Sequence, residues 1–178
     1  LSKDGLTAAE MGTALHAFLE HADFASLAAA KAAGTLEEAI LAERQRQVDT
    51  QLVAPEIAEK LNVGRIRRFA ESEAFAKICA AEKVLPALPA SAVLTAQGAS
   101  AQEAAAVQDE QVLVQGIADL VLVFPDHLEL LDYKTDRRKT EADFLRAYRP
   151  QLNLYALAID KRFAPKKVTY KGIYSLEL

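Results

Sequence analysis

The stretch from Val112 to Arg138 constrains this chain more than any other, because it reads as two strands joined by a tight turn. Across residues 115–124, Ile117, Asp119, Val121 and Val123 fall on one face at strand period, and Ala118, Leu120, Leu122 and Phe124 on the other. Both faces are apolar, as expected of a strand covered on both sides. Phe124-Pro125-Asp126-His127 places Pro and Asp where turns favour them. In the following strand Leu128, Leu130, Asp132 and Lys134 share a face, with Leu131 and Tyr133 opposite. Asp132 and Lys134 then point the same way, about 7 Å apart at roughly 3.3 Å per residue. Asp119 and Asp132 are the oddity, since a carboxylate among apolar strand residues is costly to bury unless it is paired or binds a metal.

Before this hairpin the pattern is helical. Leu6 to Ala33 reads as one helix, opened by a Thr7/Glu10 capping box, with Leu15, Phe18, Leu19 and Ala22 at helical spacing and Gly34 as its stop. Thr35 and Glu38 repeat the capping box and start a second helix to about Leu52, and Pro55 suits the first turn of a third. Gly64 to Glu71 forms a short basic helix carrying Arg65, Arg67 and Arg68, and Ser72 caps another through Ala80. Glu82 to Leu88 is a strand that Pro86 and Pro89 confine to a sheet edge or end early. Ala90 to Glu110 has little periodicity and reads as a loop. Beyond the hairpin, Thr140 caps a short helix to about Ala147, Pro150 begins a fresh helix to about Phe163, and Lys167 to Leu176 closes as a strand. The expected organisation is a single domain, mainly helical over 1–81, with the strands and remaining helices over 82–178.

Composition narrows the function. With 178 residues, 51% hydrophobic and 26% charged, the chain can bury a sizeable core and is not of disordered type. No apolar run reaches the roughly 18 to 20 residues that span a bilayer, so no membrane partner is expected. No signal-peptide pattern opens the chain. It begins at Leu1 rather than Met, which reads as a piece of a longer protein. Cys79 is the only cysteine, which excludes an internal disulfide, a Cys-based zinc site and a four-Cys iron–sulfur cluster within this chain, and fits a reducing cytoplasm. A net charge of −4 argues against a broadly basic nucleic-acid surface, while leaving room for a site that grips phosphates through metals and a few local Arg and Lys residues. Neither G-x-x-x-x-G-K-[ST] nor G-x-G-x-x-G is present, so nucleotide binding by those routes is not expected.

The residues out of keeping with their surroundings are His16 on an apolar helix, Glu82 opening a strand, Asp119, Asp132 and Lys134. Carboxylate oxygens suit a hard divalent ion such as Mg²⁺, which polarises a phosphodiester and activates water. A lysine beside it orients the water or stabilises charge at the phosphate. Singly, each residue has a plainer explanation. A strand Asp is more often a turn residue or salt-bridge partner, Asp132–Lys134 reads equally as an ion pair, and His16 as a hydrogen-bonded helix residue. Gln151 and Tyr155, one turn apart on the late helix, are alone ordinary helix residues. The conjunction is what points to a metal site.

Together these residues carry a resemblance. G-T-x-x-H at Gly12–His16, G-I-x-D at Gly116–Asp119, D-Y-K-T-D at Asp132–Asp136 and Q-L-x-L-Y at Gln151–Tyr155 resemble the RecB-like nuclease domains of the PD-(D/E)xK superfamily. Within it, the runs from Gly12 to Phe24, Val114 to Leu120 and Tyr148 to Tyr155 resemble the C-terminal nuclease domain of AddA-type helicase–nucleases. The resemblance implies an α/β, restriction-endonuclease-like core of helix, three-stranded meander, helix and strand: a mixed β-sheet flanked by helices, with an N-terminal helical segment. It implies metal ligation by His16, Asp119, Asp132 and the main-chain carbonyl of Tyr133, with Lys134 as catalytic lysine beside Asp119 and Asp132. Gln151 and Tyr155 would support the site and contact DNA, and Glu82 matches the acidic residue that often precedes the first core strand. The implied activity is that of a Mg²⁺-dependent deoxyribonuclease of exonuclease type, with Mn²⁺ as substitute, acting in double-strand break processing in the bacterial cytoplasm. Its implied partners are DNA, the helicase domains of the parent chain and an AddB-like subunit. AddB-type domains carry four cysteines for an iron–sulfur cluster, so a single Cys79 places the chain on the AddA side. An inactive nuclease-like domain used for DNA binding or for assembling subunits is the alternative. In a third reading an intact domain idles until a partner module delivers DNA, with Arg65, Arg67, Arg68, Arg137, Arg138 and Lys139 forming only a local phosphate track.

Overall fold

In the computed structural model, which describes residues 7–95, 111–135 and 140–176, helix formation begins at Thr7. Its hydroxyl accepts from Glu10 N and the Glu10 carboxylate accepts from Thr7 N at 2.9 Å, the expected capping box. The expected single helix to Ala33 is instead two. Helix α1 (Ala8–His21) stops at an extended Ala22, and α2 (Phe24–Ala33) starts from Asp23, whose carboxylate accepts from Ser26 N at 3.0 Å. Asp23 satisfies the first donors of a new helix better than it would serve mid-helix, so it restarts the chain at an angle. Gly34, at φ 79°, ends α2 in the left-handed region, as expected.

Helix α3 (Leu36–Asp49) starts without a side-chain cap from Thr35, contrary to the expected second capping box, and ends before Leu52, at Thr50. Three short helices follow: α4 (Pro55–Ala58) with Pro55 in its first turn, α5 (Val63–Ala70) capped by Asn62, and α6 (Glu73–Ala80) capped by Ser72. Buried Glu43 of α3 ties this block together. It takes two bonds from Arg46, one from Gln47 and one from Asp23 N, and Gln47 also reaches Phe18 O. Burial alone would raise the Glu43 pKa, but the bonds from Arg46, Gln47 and Asp23 hold it below the ordinary carboxylate value.

The sheet is β1 (Lys83–Thr95), β2 (Gln111–Val123), β3 (Leu128–Lys134) and β4 (Val168–Ser175), in that spatial order. The first three strands form an antiparallel meander, and β4 returns parallel to β3 after helix α7 (Glu141–Arg162). Strand β1 lies on the sheet edge, where Pro86 and Pro89 are tolerated. It continues to Thr95, so Ala90–Thr95, expected as loop, is paired strand; residues 96–110 lie outside the described residues. Pro150 does not begin a new helix. It sits on the exposed side of one continuous α7, started by a Thr140/Asp143 capping box and held to the sheet by buried Leu152, Tyr155, Ala158 and Ile159. That packing outweighs the cost of an internal proline, about 3 kcal/mol.

Two apolar layers sandwich the sheet. Leu120, Leu122, Leu131 and Tyr133 pack with α1, α2, α3, α5 and α6, while Leu88, Ala118, Val121, Leu128 and Leu130 pack with α7. This corrects the expected faces of β2: Val121 and Val123 lie under α7 with Ala118, whereas Asp119 turns toward α1 with Leu120 and Leu122. Alternation slips by one residue where Ala87, at φ 46°, fails to pair with Asp119. The slip occurs on both strands, because Leu85 and Leu88 also share the α7 side, so the register before and after it is unchanged. Among the described residues no helix is long and apolar enough to cross a membrane.

Candidate active site

Helix α1 supplies one wall. Met11, Ala14, Leu15, Phe18 and Leu19 are buried, which leaves His16 on the flank, with its ring edge-on to Tyr133 at 5.9 Å. Gly12, one turn earlier, lets the helix approach the end of β3: a Cβ there would lie 2.8 Å from Thr135 Oγ1. The approach brings His16 Nδ1 to 3.8 Å from Asp119 Oδ2.

Asp119 sits where β2 and β3 part. Their ladder ends at the pair Leu120–Leu131, and beyond it Asp119 Oδ2 accepts from Tyr133 N at 2.8 Å. The side chain stands in for a strand carbonyl and keeps the fork open. In a strand the N–H and C=O of one residue point to the same side, so the Tyr133 carbonyl faces the same fork. The Lys134 carbonyl turns the other way and accepts from Leu176 N at 2.8 Å.

Asp132 is 2% exposed. Lys134 Nζ lies 2.6 Å from its Oδ2 as an ion pair, and among the described residues Oδ2 has no other hydrogen-bond donor. Burial pushes the Asp132 pKa up, Lys134 pulls it back, and the Asp119 charge pushes it up again. The Tyr133 hydroxyl is buried without a hydrogen-bond partner among the described residues, and burial together with Asp119 raises its pKa far above the usual phenol range. Helix α7 closes the other side. The Tyr148 ring lies 4.7 Å from Lys134 Nζ, and Gln151 Nε2 donates to Tyr155 Oη at 3.0 Å. Tyr155 in turn covers Gly116, where an added Cβ would meet its ring carbons at 2.6–2.8 Å.

His16, Asp119, Asp132, Tyr133 and Lys134 thus meet at the fork, and Tyr155, bonded by Gln151, reaches the strand that carries Asp119. Glu82 does not join them. Its N–H bonds Val123 O, four residues along β2 from Asp119 and so about 13 Å away at 3.3 Å per residue, and its side chain is exposed. Arg65, Arg67 and Arg68 lie on α5, with Arg67 3.5 Å from Glu37, while Arg137, Arg138 and Lys139 fall outside the described residues.

Several neighbours escape sequence reasoning. Glu20, one turn beyond His16, lines both cavities beside it: one of about 450 Å³ with Gly12 and Thr135, the other of about 250 Å³ with Ala87, Ile117, Asp119 and Tyr133. The i, i+4 spacing from His16 was the available signal for Glu20. Tyr148 and Ile117 had no signal beyond membership in the quoted runs.

The donors suit a hard divalent ion: two carboxylates, an imidazole and a carbonyl. A buried carboxylate oxygen with no donor besides Lys134 among the described residues, beside a second carboxylate, is what such an ion would satisfy. Among the described residues, no three His, Cys, Asp or Glu side chains are yet drawn close enough to hold one.

A meander with a forked β2–β3 pair, a D-Y-K end to β3 and a crossover helix define a nuclease fold, and the sequence agrees. Residues 2–177 match the PD-(D/E)XK nuclease superfamily, and the chain belongs to it. It is similar to AddA, the ATP-dependent helicase/nuclease subunit of Bacillus mycoides (strain KBAB4), 33% identical over 171 residues, covering 90% of this chain and 13% of that protein. The protein of the same name from Bacillus cytotoxicus is 34% identical over 170 residues, with the same coverage. That from Ligilactobacillus salivarius is 34% identical over 145 residues, covering 81% of this chain and 11% of that protein. The chain therefore spans only a small part of the length of these relatives.

Proposed function

We propose that this chain is the nuclease module of a helicase–nuclease of the kind its relatives are named for, hydrolysing DNA phosphodiesters in a metal-dependent reaction. The observation that carries the reading is the fork, where Asp119 takes the Tyr133 N–H, abuts His16, and faces the Asp132–Lys134 pair across a strand end. Asp119, Asp132, His16 and the Tyr133 carbonyl would hold Mg²⁺, or Mn²⁺, which when bound polarises the phosphate and lowers the pKa of a water. Lys134, kept in place by Asp132 and Tyr148, sets positive charge against the phosphate oxygens as negative charge grows there. The water oxygen gives up a proton to solvent and bonds to phosphorus while the bond to the 3′-oxygen breaks. The leaving oxygen takes up a proton, and the product strand carries a 5′-phosphate. Gln151 and Tyr155 hold the β2 side of the fork and meet the DNA strand.

Exonuclease action in double-strand break processing, with helicase domains of a parent chain and an AddB-like subunit in the bacterial cytoplasm, completes the proposal. The acidic balance fits DNA delivered by such partners, which predicts weak, strongly salt-dependent affinity for the isolated chain.

The test is cleavage of single-stranded DNA with Mg²⁺ by the wild type, Asp119→Ala and Lys134→Ala. The wild type is expected to cleave, and each variant to lose at least about a hundredfold in rate, the scale of a lost electrostatic stabiliser. Equal cleavage by all three rules out the assigned residues. No cleavage by the wild type supports the inactive, nuclease-like alternative.

A further inference from the structure

One face of the β1–β2 ribbon runs out from Asp119 without a covering layer among the described residues. Leu88, Ala90 and Ala118 pack under α7, and Gly116 lies against Tyr155 of the same helix. The alternate residues Pro89, Ser91, Gln115 and Ile117 therefore turn to the opposite side, and all four are exposed. They stand as directly opposed pairs, Pro89 with Ile117 and Ser91 with Gln115. Ile117 is 58% exposed, the largest value among the exposed large hydrophobic residues described. Its side chain also lines the cavity of about 250 Å³ that it shares with His16, Glu20 and Asp119.

A β-branched side chain suits a strand, but Ile117, more than half exposed, takes little apolar surface out of water in the fold. Beside Asp119 it is an apolar wall at the point where a bound strand would present its sugar and base. Pro89, Ser91, Gln115 and Ile117 are themselves uncharged, so outward from Asp119 the stripe adds no further negative charge to a chain of net charge −4. We propose, resting on the nuclease reading above, that Ile117 with Pro89 packs against the nucleoside next to the scissile phosphate, and that Gln115 and Ser91 carry the strand outward. Isoleucine and proline act on DNA as wedges between bases, and a base face is open to them only where stacking is broken. A single strand, whose bases are already unstacked, meets this wall without the cost of unstacking a duplex and is the substrate expected at this position.

The experiment compares the wild-type chain with Ile117→Ser and Ile117→Val. Steady-state cleavage of a single-stranded oligonucleotide with Mg²⁺ gives KM and kcat, and thermal melting gives stability. Losing the apolar contact is expected to raise KM about 5- to 20-fold in Ile117→Ser, with kcat and Tm unchanged and Ile117→Val close to wild type. An unchanged KM, or a loss confined to kcat or Tm, overturns the proposal. A second arm measures anisotropy of the labelled oligonucleotide on Lys134→Ala and Lys134→Ala/Ile117→Ser with Ca²⁺, and does not depend on cleavage. Weaker binding of the single strand by the double variant, with a blunt duplex unaffected, supports the proposal. Equal binding, or equal weakening for both DNAs, overturns it. Failure of the wild type to cleave counts against the nuclease reading, and the binding arm still decides on Ile117.

Discussion

Lys134 has neighbours that no local pattern assigns to it. Asp132 two residues away is legible from strand period, but Tyr148 arrives from the crossover helix, with its ring 4.7 Å from Nζ. An ammonium over an aromatic face is worth about 0.5–2 kcal/mol, more as water is excluded. Tyr148 thus acts as a positioning residue, restraining a flexible side chain that Asp132 alone holds by charge. Tyr148→Ala is predicted to slow single-turnover cleavage about 3- to 20-fold, while Tyr148→Phe, which keeps the ring face, stays within about twofold. In a Lys134→Ala background the same Tyr148→Ala change should add nothing, because the two act as a unit. A full additional loss would assign Tyr148 a separate role.

At the scale of elements, the site depends on how closely two pairs of segments approach. Gly12 admits Thr135 to α1, and Gly116 admits Tyr155 to β2. A methyl at Gly116 would press into the Tyr155 ring and is predicted to cost about 1–3 kcal/mol by overpacking, measured by denaturant unfolding. Gly116→Ala/Tyr155→Leu should recover most of that stability without recovering activity; a simple sum of the two single effects would show that the contact is not the cause. The helical block has its own pin in Glu43. Its pKa is lowered in the folded chain, so the stability it contributes is present above the unfolded carboxylate pKa and lost as pH falls through the folded one. Glu43→Gln is therefore predicted to be less stable than wild type at neutral pH, with the gap closing as the solution is acidified. A gap that persists or widens in acid would contradict the ion pair. Local chemistry made many elements legible: the Thr7 and Thr140 boxes, the Ser72 cap, the Gly34 stop and the Phe124–His127 turn were all readable from side chains that satisfy nearby backbone. What was not legible required distant partners. Asp23 restarts a helix with its own N–H on Glu43, Pro150 is carried through α7 by packing on the sheet, and the slip at Ala87 that turns Asp119 to α1 involves two strands at once.

For the molecule as a whole, the sheet brings together residues 16, 119, 132 and 134, which the chain separates, and sets them between two helical layers. His16, Asp119, Asp132 and Lys134 were each visible in the sequence as a residue out of keeping with its surroundings. Their convergence was not, because it depends on where the β2–β3 ladder stops. Glu82 shows the limit of reading by pattern, since it opens a strand as expected yet stands at the far end of it from the fork. The central claim is that the fork is one divalent-metal site. The most direct measurement is anomalous diffraction from crystals of the chain grown with Mn²⁺. The predicted result is a single strong peak about 2.0–2.4 Å from carboxylate oxygens of Asp119 and Asp132 and from the Tyr133 carbonyl, with His16 turned to complete the set. A peak elsewhere on the molecule, or none at the fork at millimolar Mn²⁺, would contradict it.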